Sequence, residues 1–193
     1  MVLSSDLTER IESAKGSLDL SGLGLAGSID SLAEILQRKD VTHLNLSDCM
    51  LSSNMASKLL SSLSGLISLE LRGNDLRGSS LSVLAGLVRR CTLLHTLSLE
   101  WNALGHSELE FSELCNAVGN NRNMTNLDLR NNQLTNGHGV IVANLIGSNP
   151  ALKSIDLRWN RIGSTAGREI LDALKYVTLY NSKIICTKCI KLY

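Results

Sequence analysis

Apolar and polar residues alternate in short bursts along this chain, and the bursts repeat. Residues 127 to 134 read LDLRNNQL, and residues 155 to 162 read IDLRWNRI. Four earlier copies start at Leu18 (LDLSGLGL), Leu44 (LNLSDCML), Leu69 (LELRGNDL) and Leu97 (LSLEWNAL), so six phrases recur at intervals of 25 to 30 residues. An apolar residue also stands three positions ahead of most copies, at Val41, Leu66, Leu94, Met124 and Leu152, which completes the pattern LxxLxLxxNxL. Within each phrase the period is two. Leu127 and Leu129 alternate with Asp128 and Arg130, which predicts a short strand with leucines inward and polar residues on an open face.

Between the phrases the period changes to that of a helix. Ala56, Leu59, Leu60 and Leu63, then Leu81, Leu84, Ala85 and Val88, then Phe111, Leu114, Cys115 and Val118, and finally Gly167, Ile170, Leu171 and Leu174 follow i, i+3, i+4, i+7. Ser107 with Glu110 predicts a capping box ahead of the helix in the fourth repeat, the one that carries Phe111. Alternating strand and helix at this period predicts an α/β solenoid, a short horseshoe with parallel strands on the concave face and helices on the convex face. No single unit can bury its apolar face alone; stacking supplies the missing wall. Asn74, Asn102, Asn132 and Asn160 share one position, where an amide can bond backbone groups turning away from the sheet. Cys49 and Leu23 stand there in the earlier copies, so the expected asparagine ladder is incomplete at the N-terminal end.

The termini read differently. Leu7, Ile11 and Ala14 at helical spacing, with Asp6 and Glu9 at the start, predict a capping helix over residues 1–16. The repeats then fill residues 17–175. The remainder, 176–193, is rich in β-branched and aromatic residues and lacks a full unit; its VTLYNSKI stretch from Val177 predicts at most a degenerate edge strand and then a poorly packed tail.

With 193 residues, one domain with a sizeable core is expected. A formal net charge of +1, with Lys and Arg spread along the chain, argues against nucleic acid or a membrane surface as partner. No segment reads as a secretory leader or a membrane span. The five cysteines are odd in number and without a framework spacing, which fits a reducing, cytoplasmic setting. Cys186 and Cys189 form CTKC, but a structural zinc needs four ligands and no second pair is present, so no metal or other cofactor is expected. His43, His95, His106 and His138 are scattered among the repeats with no catalytic motif nearby, which assigns them to loops and surfaces. GLGLAGS at residues 22–28 lacks the Lys-Ser/Thr ending of a phosphate cradle and falls within a repeat turn. No enzyme activity and no small-molecule substrate are expected.

These residues resemble the ribonuclease-inhibitor type of leucine-rich repeat across roughly residues 17 to 175. Within that class LSLEWNALG, LDLRNNQL and IDLRWNRIG resemble the N-terminal repeat region of the leucine-rich repeat-containing protein 45 family of centrosomal linker components. The resemblance implies a scaffold module of the centrosome or cytoskeleton. In that family a long coiled coil comes after the repeats; nothing after Lys175 shows heptads, so filament assembly is not expected of this stretch.

Solvent-facing strand positions are the natural binding surface of such folds. The first column holds Asp19, Asn45, Glu70, Ser98, Asp128 and Asp156; the next holds Ser21, Ser47, Arg72, Glu100, Arg130 and Arg158; the third holds Gly22, Asp48, Gly73, Trp101, Asn131 and Trp159. Charge and aromatic content grow toward the C-terminal half. Trp and Arg dominate interface hot spots, so Trp101, Arg130, Trp159 and Arg158 are the candidate contacts for a protein partner, with Glu70, Arg72, Glu100, Asp128 and Asp156 at the polar rim. The competing explanation is that acidic and basic columns satisfy each other across strands while the tryptophans cover neighbouring stems. Two other functions stay open: a clamp on an enzyme or signalling domain, as in ribonuclease inhibitor, and a GTPase-activating role with Arg130 or Arg158 presented to a nucleotide-bound partner.

Overall fold

The computed structural model describes residues 5–180. Among them, six three-residue strands, β1 (Ser17–Asp19), β2 (His43–Asn45), β3 (Ser68–Glu70), β4 (Thr96–Ser98), β5 (Asn126–Asp128) and β6 (Ser154–Asp156), form one open parallel sheet in sequence order. The repeat phrase sets the register. Leu18, Leu44, Leu69, Leu97, Leu127 and Ile155 pair directly across the sheet, as do Asp19, Asn45, Glu70, Ser98, Asp128 and Asp156. Helices α1 (Ser5–Ser13), α2 (Ile29–Leu36), α3 (Ser53–Ser62), α4 (Ser79–Arg90), α5 (Glu108–Asn120), α6 (Asn136–Ser148) and α7 (Ser164–Tyr180) alternate with the strands. From α2 onward each helix packs on the next.

The expected inward positions form one continuous core. Leu127, Leu129 and Ile155 are buried, as are Ala56, Leu59, Leu60 and Leu63 and the matching residues of α4 and α5. Burying each large aliphatic side chain contributes roughly 1.5 to 3 kcal/mol. In α7, Gly167, Ile170 and Leu174 are buried while Leu171 is half-buried. At the N-terminal end Leu7 and Ile11 of α1 cover the first repeat, and the Lys39 ammonium donates to the Ile11 carbonyl at the end of α1.

The asparagine ladder has four rungs. Each amide nitrogen donates to the carbonyl of the second leucine in the preceding repeat: Asn74 to Leu46 at 2.9 Å, Asn102 to Leu71 at 3.0 Å, Asn132 to Leu99 at 2.8 Å and Asn160 to Leu129 at 2.8 Å. At Cys49 the rung shrinks to a thiol donating to the Leu20 carbonyl at 3.0 Å, and burial pushes that thiol's pKa up. A second, shorter ladder runs along the opposite edge, where the helices end. Asn121 donates to the Val88 and Cys91 carbonyls, both at 3.1 Å, and Asn149 to those of Val118 at 2.7 Å and Asn121 at 3.2 Å. Their oxygens accept from the backbone N–H groups that open the next strand segment, including Met124 and Leu152.

Three local expectations are corrected. Ser107 makes no cap bond to its own helix; its hydroxyl instead accepts from Gly78 N–H at 2.7 Å and ties one repeat to the preceding one. Capping of this kind occurs one repeat later, where the Thr135 N–H donates to His138 Nδ1 at 3.3 Å. His138 is therefore buried, unlike the loop or surface histidine expected. Finally, Val177 to Tyr180 continue α7 rather than starting an edge strand. No Gly or Pro occurs after Gly167 in this segment, so the helix has no signal to stop before Val177. The rest of the expected tail, with Cys186 and Cys189, lies outside the described residues.

Candidate functional site

The third column is where the geometry departs most from the sequence reading. Gly22, Asp48, Gly73, Trp101, Asn131 and Trp159 do not sit in the strands; they occupy the turn just after them, all with positive φ, from 54° at Asn131 to 74° at Gly22. Their N–H groups continue the inter-strand ladder: Gly22 donates to Ser47 O, Asp48 to Arg72 O, Gly73 to Glu100 O, Trp101 to Arg130 O and Asn131 to Arg158 O, at 2.7 to 3.2 Å. Each repeat must turn left-handed here to swing its chain off the sheet. Gly, Asn and Asp are the residues that adopt this conformation readily; a Cβ-bearing bulky residue adopts it at a cost of about 1 to 2 kcal/mol.

Four of the six repeats obey that preference. The other two place tryptophan, at φ 55° for Trp101 and 62° for Trp159. These side chains recover little by burial, being 57% and 76% exposed. They line a groove of about 300 Å³ at the C-terminal edge of the sheet, with Asn131 in the repeat between them and Gln133 and Arg161 also on its wall. Gln133 itself has φ 60°. Neither Gln133 nor Arg161 was singled out by the sequence, because both come after the ladder asparagine, outside the alternating columns.

Beside the groove the charged columns pair with each other. Glu100 is 9% exposed, and its carboxylate accepts from Arg130 Nη2 at 2.8 Å and Asn131 Nδ2 at 3.3 Å, with Arg72 Nε at 3.4 Å. Arg130 also donates from Nη2 to Asp128 at 2.6 Å and lies 3.6 Å from Asp156, while Arg158 donates to Asp156 at 2.6 Å. Hydrogen bonds to Asp128 push the Arg130 guanidinium pKa further up. Burial alone raises the Asp156 pKa, but the Arg158 side chain and backbone N–H outweigh it and hold the carboxyl below its ordinary value. The structure thus brings Arg72, Glu100, Asp128, Arg130, Asp156 and Arg158 into one network. Glu70 is exposed and makes no ion pair among the described residues. Arg130, with three carboxylates around it, is held as a structural cross-link between strands.

No group of three or more metal-binding side chains occurs among the described residues, and no described helix is long and apolar enough to cross a membrane. His138 abuts Phe111 edge-on at 5.2 Å, with Nε2 buried and without a hydrogen-bond partner. Burial lowers its pKa.

Comparison with known proteins agrees with the repeat architecture. A family model described as "Leucine Rich repeat" matches residues 148–171. The chicken (Gallus gallus) leucine-rich repeat-containing protein 45 is 37% identical over 133 residues, covering 67% of this chain and 19% of that relative. The chain thus spans about a fifth of that relative's length. Among solved structures, the actin-binding site 2 of leiomodin-1 is similar with a TM-score of 0.62 at 14% identity, covering 78% of this chain and 90% of that one. The C-terminal domain of a tropomodulin from Caenorhabditis elegans is similar with a TM-score of 0.59 at 18% identity, covering 79% and 94%. At such identities the likeness speaks for the fold.

Proposed function

We propose that this chain, a leucine-rich-repeat protein resembling leucine-rich repeat-containing protein 45, is a non-catalytic protein-interaction module of a centrosomal or cytoskeletal scaffold. Its partner contacts lie at the C-terminal half of the concave side, centred on the groove between Trp101 and Trp159. One observation carries this reading: two exposed tryptophans stand in a left-handed backbone position that two other repeats fill with glycine. Strain that folding does not repay concentrates at sites used for binding. Large exposed aromatics beside a polar, hydrogen-bonded floor are the usual composition of a hot spot with its rim. Glu100, Arg130, Asp128, Asp156, Arg158 and Arg72 supply that floor, and Glu70 lies at its N-terminal margin.

The centrosomal or cytoskeletal setting rests on the resemblance to the chicken relative, of which only a small part is matched. The test is proximity labelling in cells with the chain and with its Trp101→Asn, Trp159→Asn variant. Centrosomal or cytoskeletal neighbours that disappear in the variant are expected. A neighbour set identical for the two chains would refute the site, and a set dominated by one soluble enzyme would favour an inhibitor-like clamp instead.

A further inference from the structure

We infer that the groove receives an extended, proline-containing peptide segment with acidic residues after the prolines, presented by a partner protein. This rests on the interaction site proposed for Trp101 and Trp159 and names its occupant. Trp101, Asn131 and Trp159 come just after three consecutive strands, and the ladder bonds from Trp101 N–H to Arg130 O and from Asn131 N–H to Arg158 O keep the three backbones adjacent. Parallel strands are spaced about 4.8 Å apart, so the two tryptophan positions are separated by about 9.6 Å. A polyproline II helix advances about 9.3 Å per three-residue turn, so prolines at i and i+3 of such a segment meet the two tryptophans in turn. Its backbone carbonyls are free of internal hydrogen bonds and need donors. Gln133 carries a side-chain amide on the same wall, as does Asn131, whose Nδ2 spends one of its two N–H groups on Glu100 at 3.3 Å.

Charge selects the residues that come after the prolines. Arg161, two residues after Trp159 in the same repeat, is exposed on the groove wall and forms no ion pair among the described residues. The nearby carboxylates of Glu100, Asp128 and Asp156 are each engaged by Arg130, Arg72 or Arg158. The groove therefore offers an unneutralised cation at its C-terminal end, which complements an acidic peptide. A rigid polyproline segment also loses little entropy on docking against aromatics.

The chain contains only two tryptophans, and both line this groove, so its intrinsic fluorescence reports on the site directly. The probe is a synthetic peptide with prolines at i and i+3 and two glutamates after them, titrated up to about 1 mM, a concentration that detects even weak recognition. A saturable change in emission is expected, weakened at least tenfold when the prolines become alanine or the glutamates lysine. Arg161→Glu is expected to reverse the charge preference and bind the lysine version better. Absence of a saturable change with the proline peptide overturns the inference, as does an unaltered charge preference in Arg161→Glu. If proximity labelling still depends on the tryptophans while these peptides fail, the site stands and the occupant is wrong. An emission change on raising the protein's own concentration, without peptide, would identify a second copy as the occupant and also overturn it.

Discussion

Replacing Asn132 by alanine should destabilise the chain far more than replacing its neighbour Gln133. Asn132 is fully buried, and its side chain makes three bonds: Nδ2 donates to Leu99 O at 2.8 Å and Arg130 O at 2.9 Å, and Oδ1 accepts from Asn102 N–H at 3.2 Å. After truncation Leu99 O keeps the Asn102 amide and Arg130 O keeps the Trp101 N–H. Asn102 N–H is left without its acceptor in the interior. Two lost bonds to carbonyls that retain another partner at about 0.5 to 1 kcal/mol each, and one orphaned buried donor at about 1 to 3 kcal/mol, give a loss of about 3 kcal/mol. With a urea slope of about 2 kcal/mol per M, the midpoint falls by about 1.5 M. Gln133 is exposed, so Gln133→Ala should stay within about 0.5 kcal/mol of the parent. Urea unfolding monitored by far-ultraviolet circular dichroism measures both. Equal midpoints for the two variants would refute the ladder as a source of stability.

Leu129→Ala removes a side chain only 1% exposed between sheet and helices and should cost about 2 to 5 kcal/mol, read as a lower thermal midpoint; an unchanged midpoint would mean its inward assignment is wrong. His138 gives a pH dependence. Its folded pKa is lowered by burial, so the unfolded state takes up the proton first on acidification, and stability present above the unfolded value of about 6.5 is lost as pH falls below it. His138→Asn, which retains an acceptor for the Thr135 N–H, should flatten the acid limb of stability between about pH 7 and 5 relative to the parent; an identical limb would assign the loss to other groups.

The leucine periodicity made the repeats legible because burial acts on every copy: the inward residues, the register and the Asn74 to Asn160 ladder all derive from letters that do not change. The end of α7 was less legible, because β-branched Val177 and Thr178 favour a strand locally while the helix ahead of them simply propagates. Asn121 and Asn149 escaped because only two repeats use them, while the buried Leu63 and Cys91 fill the equivalent position at the helix end in the two preceding repeats. The columns predicted the proximity of Trp101, Asn131 and Trp159 correctly, yet placed them in the strands. Gly22 and Gly73 in that column were the available signal: a position tolerant of glycine in two repeats is a turn, and a tryptophan there is out of place. The ion network was legible as alternating charge, but the burial of Glu100 depends on how the long arginines fold over it, which no one-dimensional pattern records.

The central claim is that Trp101 and Trp159 serve binding at the expense of folding. Asparagine already fills their position in the repeat between them. The most direct test is the thermal midpoint of the Trp101→Asn, Trp159→Asn variant beside the parent chain. Relief of left-handed strain at about 1 kcal/mol or more per site, set against the modest contact of largely exposed rings, predicts a midpoint equal to or above the parent's. A midpoint lower by several degrees would contradict the claim and make the tryptophans part of the scaffold.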